Sequence, residues 1–123
     1  MSILYRLLSL VLFLSTFSLA FAGEADVVKV KTSQDERGNW TFHVTVRHTD
    51  TGWKHYANLW EILSEKRELL ATRVLAHPHE HEQPFTRSLF DVSLPKETKV
   101  VILRAHDSVH KYGGKEVIFR LSR

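Results

Sequence analysis

Residues 40–47 read WTFHVTVR, and this stretch decides the fold class. Its apolar residues, Trp40, Phe42, Val44 and Val46, alternate with polar ones. Successive side chains of a β-strand point to opposite faces of the sheet, so strict alternation predicts a strand with one buried face. The polar, glycine-containing turn before this stretch and the polar loop after it limit the strand to about eight residues.

Six further segments of the same kind lie on either side of this strand. They begin near Val28, Tyr56, Leu69, Phe85, Lys99 and Lys115. Turn sequences rich in polar residues, glycine or proline separate them at intervals of about ten residues. We therefore expect an all-β protein, a seven-stranded β-sandwich of the immunoglobulin or fibronectin III type. The order of the strands within the two sheets stays open.

Residues 57–76 have a second interpretation, because they contain many good helix formers and could form one long helix. The β-branched residues Thr72 and Val74 favour a strand instead. Together with the neighbouring strands, they predict a hairpin that turns Trp60 and Ile62 towards the core.

Residues 1–22 have the pattern of a secretory signal peptide. Arg6 precedes a mostly apolar run that ends in Ala-Phe-Ala, a small-x-small cleavage site. Cleavage there predicts a mature chain that begins at Gly23, with residues 23–123 forming one domain in the periplasm or outside the cell. The run is about 20 residues long, near the length of a bilayer-spanning helix. An uncleaved membrane anchor is therefore the alternative, although the scattered serines and the cleavage site favour removal.

The composition excludes several classes of function. The chain contains no cysteine, so its core must hold without disulfides and no cysteine can carry a lipid. Its net charge of +3, which falls by one when Arg6 is removed, is too small to indicate nucleic-acid binding. The sequence has no glycine-rich phosphate loop, internal repeat or G-x-S-x-G nucleophile elbow. We expect no enzyme activity.

Histidine is concentrated in part of the chain, most densely in residues 77–84, which read HPHEHEQP. In an immunoglobulin-like sandwich, the loops after the second, fourth and sixth strands cluster at one end. Of the eight histidines, all except His43 lie in or beside these three loops. The segregation predicts a shared site at this end.

Imidazole is a good ligand for divalent zinc, copper and nickel, and a site needs three or four such groups. The predicted mature chain lacks both cysteine and methionine, so copper(II) or zinc suits it better than copper(I). The predicted ligands are His77, His79, His106 and His110. His55 and Glu80 are further candidates. Ordinary hydrogen bonding of histidines in polar loops is the alternative, because the spacing H-x-H-x-H is permissive.

Three aromatic residues, Trp53, Tyr56 and Tyr112, fall at or near the same loops. Rings beside polar groups often form recognition surfaces, so they are candidates for binding an envelope protein. Covering the end of the core is the alternative role of Trp53 and Tyr56. The sequence therefore supports two functional hypotheses. One is a metal carrier, sensor or accessory protein; the other is an interaction or structural module of the cell envelope without metal.

The stretches GWKHYANLWEIL, HPHEHEQPFTRSL and RAHDSVHKYGG resemble those of an uncharacterised family of small exported bacterial proteins. The resemblance covers most of the predicted mature chain. It implies a bacterial source and a periplasmic or secreted location. It implies no activity, cofactor or site residue.

Overall fold

The computed structural model describes residues 23–122. The predicted signal peptide, residues 1–22, lies outside the described residues. Within them there are seven strands and no helix, and hence no helix long and apolar enough to cross a membrane. The strands are β1 (Asp26–Gln34), β2 (Trp40–Arg47), β3 (Ala57–Ser64), β4 (Leu69–Val74), β5 (Phe85–Val92), β6 (Val100–Asp107) and β7 (Val117–Arg120).

The strands form two antiparallel sheets. One has the order β1-β2-β5 and the other has the order β4-β3-β6-β7. Buried residues of both sheets belong to one hydrophobic cluster, so the sheets pack in a sandwich-like arrangement. The prediction of an all-β protein with seven strands is confirmed.

The segment that could have been a helix is the β3–β4 hairpin. Glu61 pairs with Thr72, and Ile62 pairs with Ala71. Trp60 is fully buried, as predicted. The segment forms strands rather than a helix because β3 also pairs with β6 on its other side, which places β3 in the interior of the sheet.

The strand period determines which residues enter the core. In β2 the even-numbered residues, Trp40 to Val46, are buried, and burial of each large apolar side chain contributes about 1.5–3 kcal/mol. In β6 the odd-numbered residues, including Leu103 and Ala105, are buried. Each series continues with a buried polar residue at one end of the sandwich. These residues are His48, directly after β2, and Asp107, at the end of β6.

The three histidine-containing loops meet at that end. The backbone N–H of His79 in the β4–β5 loop donates to Asp50 Oδ2 in the β2–β3 loop, at 2.7 Å. The backbone N–H of Tyr56 donates to Ser108 Oγ in the β6–β7 loop, at 3.0 Å. These bonds join the three loops into one surface around His48 and Asp107.

Candidate metal centre

His48, His55 and Asp107 bring one ligand atom each within 4.8 Å of one another. The side chains of His48 and Asp107 are almost completely inaccessible, whereas that of His55 is 25% exposed. Of the residues that the structure describes, these three form a group that could hold a metal ion.

The ligand atoms are closely spaced. The Nε2 atoms of His48 and His55 are 3.3 Å apart. Asp107 Oδ2 lies 3.3 Å from His48 Nε2 and 3.6 Å from His55 Nε2. The carbonyl oxygen of Gly23 is a fourth neighbour, at 3.2 Å from His48 Nε2 and 3.3 Å from His55 Nε2. Gly23 O and Asp107 Oδ2 thus both lie close to the two imidazole nitrogens.

The Nδ1 atom of His48 faces a carboxylate, which fixes the tautomer of its neutral ring. Its Nδ1 lies 2.5 Å from Asp50 Oδ1. A carboxylate can only accept hydrogen bonds, so the imidazole nitrogen must be the donor. In the neutral ring the proton is therefore on Nδ1, and Nε2 keeps its lone pair.

Asp50 holds the ring of His48 in this orientation. Its Oδ1 also accepts from the backbone N–H of Ala57 at 3.1 Å, while its Oδ2 accepts from that of His79. The carboxylate is buried and has partners on both oxygens. A carboxylate behind a metal-binding histidine is the usual outer support that fixes the tautomer and direction of the ring.

The two carboxylate oxygens of Asp107 have different partners. Its Oδ1 accepts from the backbone N–H groups of Val109, at 2.8 Å, and of His110. Its Oδ2 accepts from His110 Nδ1 at 3.2 Å and faces the two other histidines. Burial raises the pKa of Asp107, but hydrogen bonds from the backbone N–H groups of His110 and Val109 and from the His110 ring, together with the charge of His48, hold the pKa below its usual value. The carboxylate is therefore ionised at neutral pH.

The cluster is consequently rich in acceptors. Asp107 Oδ2, Gly23 O and the lone pair of His48 Nε2 converge beside His55 Nε2. A neutral His55 can bring at most one proton to these three acceptors. A divalent cation can bond to the two imidazoles and the carboxylate together, which is the chemistry that this donor set suits.

Two of the four predicted ligands make other contacts. His79 is buried, and its ring stacks on Phe85 with centroids 3.9 Å apart. His106 Nδ1 bonds to Asn58 Oδ1 at 2.6 Å, and the ring lies edge-on to Tyr112. Neither belongs to the group of possible metal ligands.

The other predicted ligands and the further candidates lie either in the cluster or near it. His77 is exposed, and its Nδ1 donates to the carbonyl oxygen of Pro78. His110 lies beside the cluster, through its bond to Asp107 and a ring contact of 4.9 Å with His55. His55, one of the further candidates, is in the group itself. The other, Glu80, lines a cleft next to His48.

The aromatic candidates form two separate contacts. Trp53 is 66% exposed and meets the ring of Tyr56 edge-on, with centroids 5.6 Å apart. Tyr112 packs instead beneath the guanidinium of Arg104, 3.8 Å from the ring centroid, and against His106. Of these three candidates, Trp53 is thus the most available to a partner.

Counting histidines did not select His48 and Asp107 as candidates. The signal that could have found them is strand parity. His48 continues the inward series of β2, and Asp107 continues the inward series of β6, whereas His106 has the opposite parity. A polar residue on the core-facing parity, at the end of a strand, indicates a buried site.

His79 should make the stability of the fold sensitive to acid. Neither of its ring nitrogens has a hydrogen-bond partner among the described residues. Burial, with a smaller contribution from Arg87, lowers its pKa. The unfolded chain therefore binds a proton more readily than the folded one, and stability is lost as pH falls below about 6.5. We expect His79→Leu to reduce this loss, by at most about 1.4 kcal/mol per pH unit.

Urea unfolding between pH 7.5 and 5 measures this dependence. The exposed His81 provides the control, because His81→Leu should keep the original slope. Equal slopes for the His79→Leu variant and the unchanged protein would contradict the assignment.

Comparison with known proteins gives one similarity. A protein of Halomicrobium mukohataei, described as "Putative lipoprotein", is 38% identical to this chain over 96 residues. The match covers 77% of this chain but 46% of the relative, so the chain spans less than half of the relative's length. No protein-family model matches the sequence, and no solved structure matches it. The resemblance to small exported bacterial proteins stays a prediction.

Proposed function

We propose that this is an exported protein that binds one divalent transition-metal ion, zinc or copper(II), through His48 Nε2, His55 Nε2 and Asp107 Oδ2. Its role would be that of a carrier, sensor or accessory protein rather than an enzyme. The structure contributes the donor atoms, their spacing and the outer support from Asp50 and His110.

The spacing of the donor atoms is the observation that carries this proposal. Zinc bonds of 2.0–2.2 Å in tetrahedral geometry require neighbouring ligand atoms to be roughly 3.3–3.6 Å apart. The three separations among His48, His55 and Asp107 are 3.3, 3.3 and 3.6 Å. The ligand atoms are thus already spaced for a metal ion, and binding would need little rearrangement.

The donor types narrow the choice of metal. Two imidazoles and a carboxylate suit zinc and copper(II), and no cysteine is present to favour softer ions. The near-tetrahedral spacing suits zinc, whereas copper(II) generally binds nitrogen and oxygen donors more tightly than zinc does. Both ions should therefore bind, and their relative affinity is a quantity to measure.

Export is supported by two independent features. The first 22 residues have the signal-peptide pattern, and the relative from Halomicrobium mukohataei is described as a lipoprotein, a class attached to the outside of a membrane.

We also propose that the sandwich is of the fibronectin III type. In immunoglobulin constant domains the fourth strand joins the fifth, but here β4 pairs with β3.

Metal binding should raise the melting temperature of the mature chain. A ligand present at 100 times its dissociation constant stabilises the folded state by about 2.7 kcal/mol. For a domain of this size we expect an increase of roughly 10–20 °C with zinc or copper(II). Melting of the metal-free protein, with and without each ion, measures the shift.

The His55→Ala variant supplies the control for this experiment. It removes the partly exposed ligand, so the fold should survive while most of the shift is lost. An increase of equal size in the variant would show that the metal binds elsewhere. No increase in the unchanged protein would contradict the proposal.

A second candidate function is protein binding through Trp53. This side chain is 66% exposed in the β2–β3 loop, and large exposed aromatic side chains are frequent anchors of interfaces. An envelope protein would be the partner. Cross-linking in the native envelope tests it: Trp53→Ala should abolish a specific cross-link that His55→Ala leaves intact.

A further inference from the structure

We infer that the free α-amino group of Gly23, exposed by removal of the signal peptide, completes the metal site. In this arrangement the amine and the carbonyl oxygen of Gly23 bind the same ion as His48, His55 and Asp107. The inference rests on the proposed function and on the predicted cleavage before Gly23. It makes proteolytic processing the event that turns on tight metal binding.

The backbone of Gly23 is already at the site. Its carbonyl oxygen lies 3.2 Å from His48 Nε2 and 3.3 Å from His55 Nε2, separations equal to those between the proposed ligand atoms. The ring of His110 lies against its α-carbon, because a Cβ on Gly23 would come within 2.7 Å of His110 Nε2. This residue therefore approaches the cluster with its backbone alone.

The residues after Gly23 are held firmly against the β6–β7 loop. Lys115 N donates to Asp26 Oδ1 at 2.7 Å, and Val27 N donates to Lys115 O at 2.8 Å. Ala25 is buried, and a Cβ on Gly114 would lie only 1.9 Å from the carbonyl oxygen of Ala25. The Gly-Gly sequence at 113–114 thus permits close packing of the segment that places Gly23.

The metal preferences of the donor atoms favour binding through the amine of Gly23. Carbonyl oxygens suit magnesium, calcium and manganese, so Gly23 O by itself is a poor ligand for zinc or copper(II). A neutral amine is a nitrogen donor of the kind that these two ions prefer. The amine nitrogen and the carbonyl oxygen of one residue can close a five-membered chelate ring with the metal. Gly23 would then contribute a nitrogen as well as an oxygen.

The precursor cannot make this chelate. Before cleavage the nitrogen of Gly23 is part of the amide bond to Ala22, and its lone pair is delocalised into the peptide group. After cleavage the nitrogen becomes an α-amino group, whose ordinary pKa of about 7.7–8.0 makes deprotonation easier than for lysine. The precursor would therefore bind zinc or copper(II) weakly inside the cell, and the processed protein would bind them tightly outside the cytoplasm.

Two chains that differ only at the amino terminus test the inference. One begins at Gly23, released from a fusion partner without extra residues, and the other retains Ala20–Ala22. The three added residues move the free amine up to about 10 Å from Gly23. We expect the Gly23 chain to bind copper(II) and zinc roughly 10- to 100-fold more tightly, the range found when supporting groups at metal sites are removed. Titration against a competing chelator at pH 7.5 measures both affinities, and melting curves confirm that both chains fold.

The outcomes separate this inference from the proposed function. Equal affinities for the two chains, with loss of binding in His55→Ala, would overturn the role of the amine and leave the metal site standing. No binding by either chain would overturn both. Mass spectrometry of the exported protein must also show cleavage before Gly23, and any other cleavage point would overturn the inference.

A spectroscopic measurement identifies the ligand directly. Copper(II) bound to the Gly23 chain labelled with ¹⁵N-glycine should show an altered nitrogen hyperfine pattern in electron paramagnetic resonance. The labelled chain that retains Ala20–Ala22 should show no such change. An unchanged pattern in the Gly23 chain would exclude coordination by the amine.

Discussion

Replacing His48 with alanine is expected to weaken binding of zinc and copper(II) by about 100-fold or more. Loss of an outer supporting group costs roughly 10- to 100-fold in metal affinity, and loss of a direct ligand should cost at least as much. His48 supplies the one ligand nitrogen whose direction is fixed by a buried carboxylate. Its removal therefore takes away both a ligand and the best-ordered part of the site.

Calorimetric titration of metal-free residues 23–123 at pH 7.5 measures this effect. The matched control is His81→Ala, which removes an exposed imidazole from the β4–β5 loop and should leave the affinity within about twofold. A His77/His79 double alanine variant tests the ligands predicted from the sequence. Retained binding in the His48→Ala variant, with loss in the double variant, would place the metal in the β4–β5 loop.

Replacing Asp50 with alanine should have the largest effect on stability, about 3–5 kcal/mol. The substitution leaves the backbone N–H groups of Ala57 and His79 without their acceptor, together with the Nδ1 of His48. Each buried donor without a partner costs roughly 1–3 kcal/mol. Because Asp50 also joins the β2–β3 and β4–β5 loops, we expect the end of the sandwich that carries the cluster to loosen.

Urea unfolding of the metal-free protein measures this loss. Asp35 is a close control, because its Oδ1 also accepts two backbone N–H groups, from Arg37 and Asn39, but in an exposed turn. Water can replace those bonds, so Asp35→Ala should cost about 1 kcal/mol or less. If the two variants lost the same stability, the structural role given to Asp50 would be wrong.

Much of the fold could be predicted from local patterns. The alternation in WTFHVTVR and the regular turn sequences depend on neighbouring residues, so they identified the strands correctly. The β3–β4 segment was ambiguous because its residues tolerate a helix. Its state depends on pairing with β6, which is distant in sequence. The placement of β6 beside β3, and of β5 beside β2, likewise follows from contacts between distant residues, which no local pattern encodes.

The sequence pointed to the region of the candidate cluster but not to all of its members. The grouping of histidines in three loops indicated one end of the sandwich, and those loops do meet. The high density of histidines in the β4–β5 loop led to the choice of His77 and His79 as ligands. In the structure the ring of His79 stacks on that of Phe85. The position of the Gly23 carbonyl oxygen beside the cluster could not be anticipated, because a backbone oxygen has no sequence signature.

A crystal structure of residues 23–123 with bound zinc or copper(II), with anomalous diffraction measured at the metal edge, tests the central claim most directly. One anomalous peak is expected, about 2.0–2.2 Å from His48 Nε2, His55 Nε2 and Asp107 Oδ2. A peak among His77, His79 and His81, or a cluster that stays without metal at saturating concentration, would contradict it.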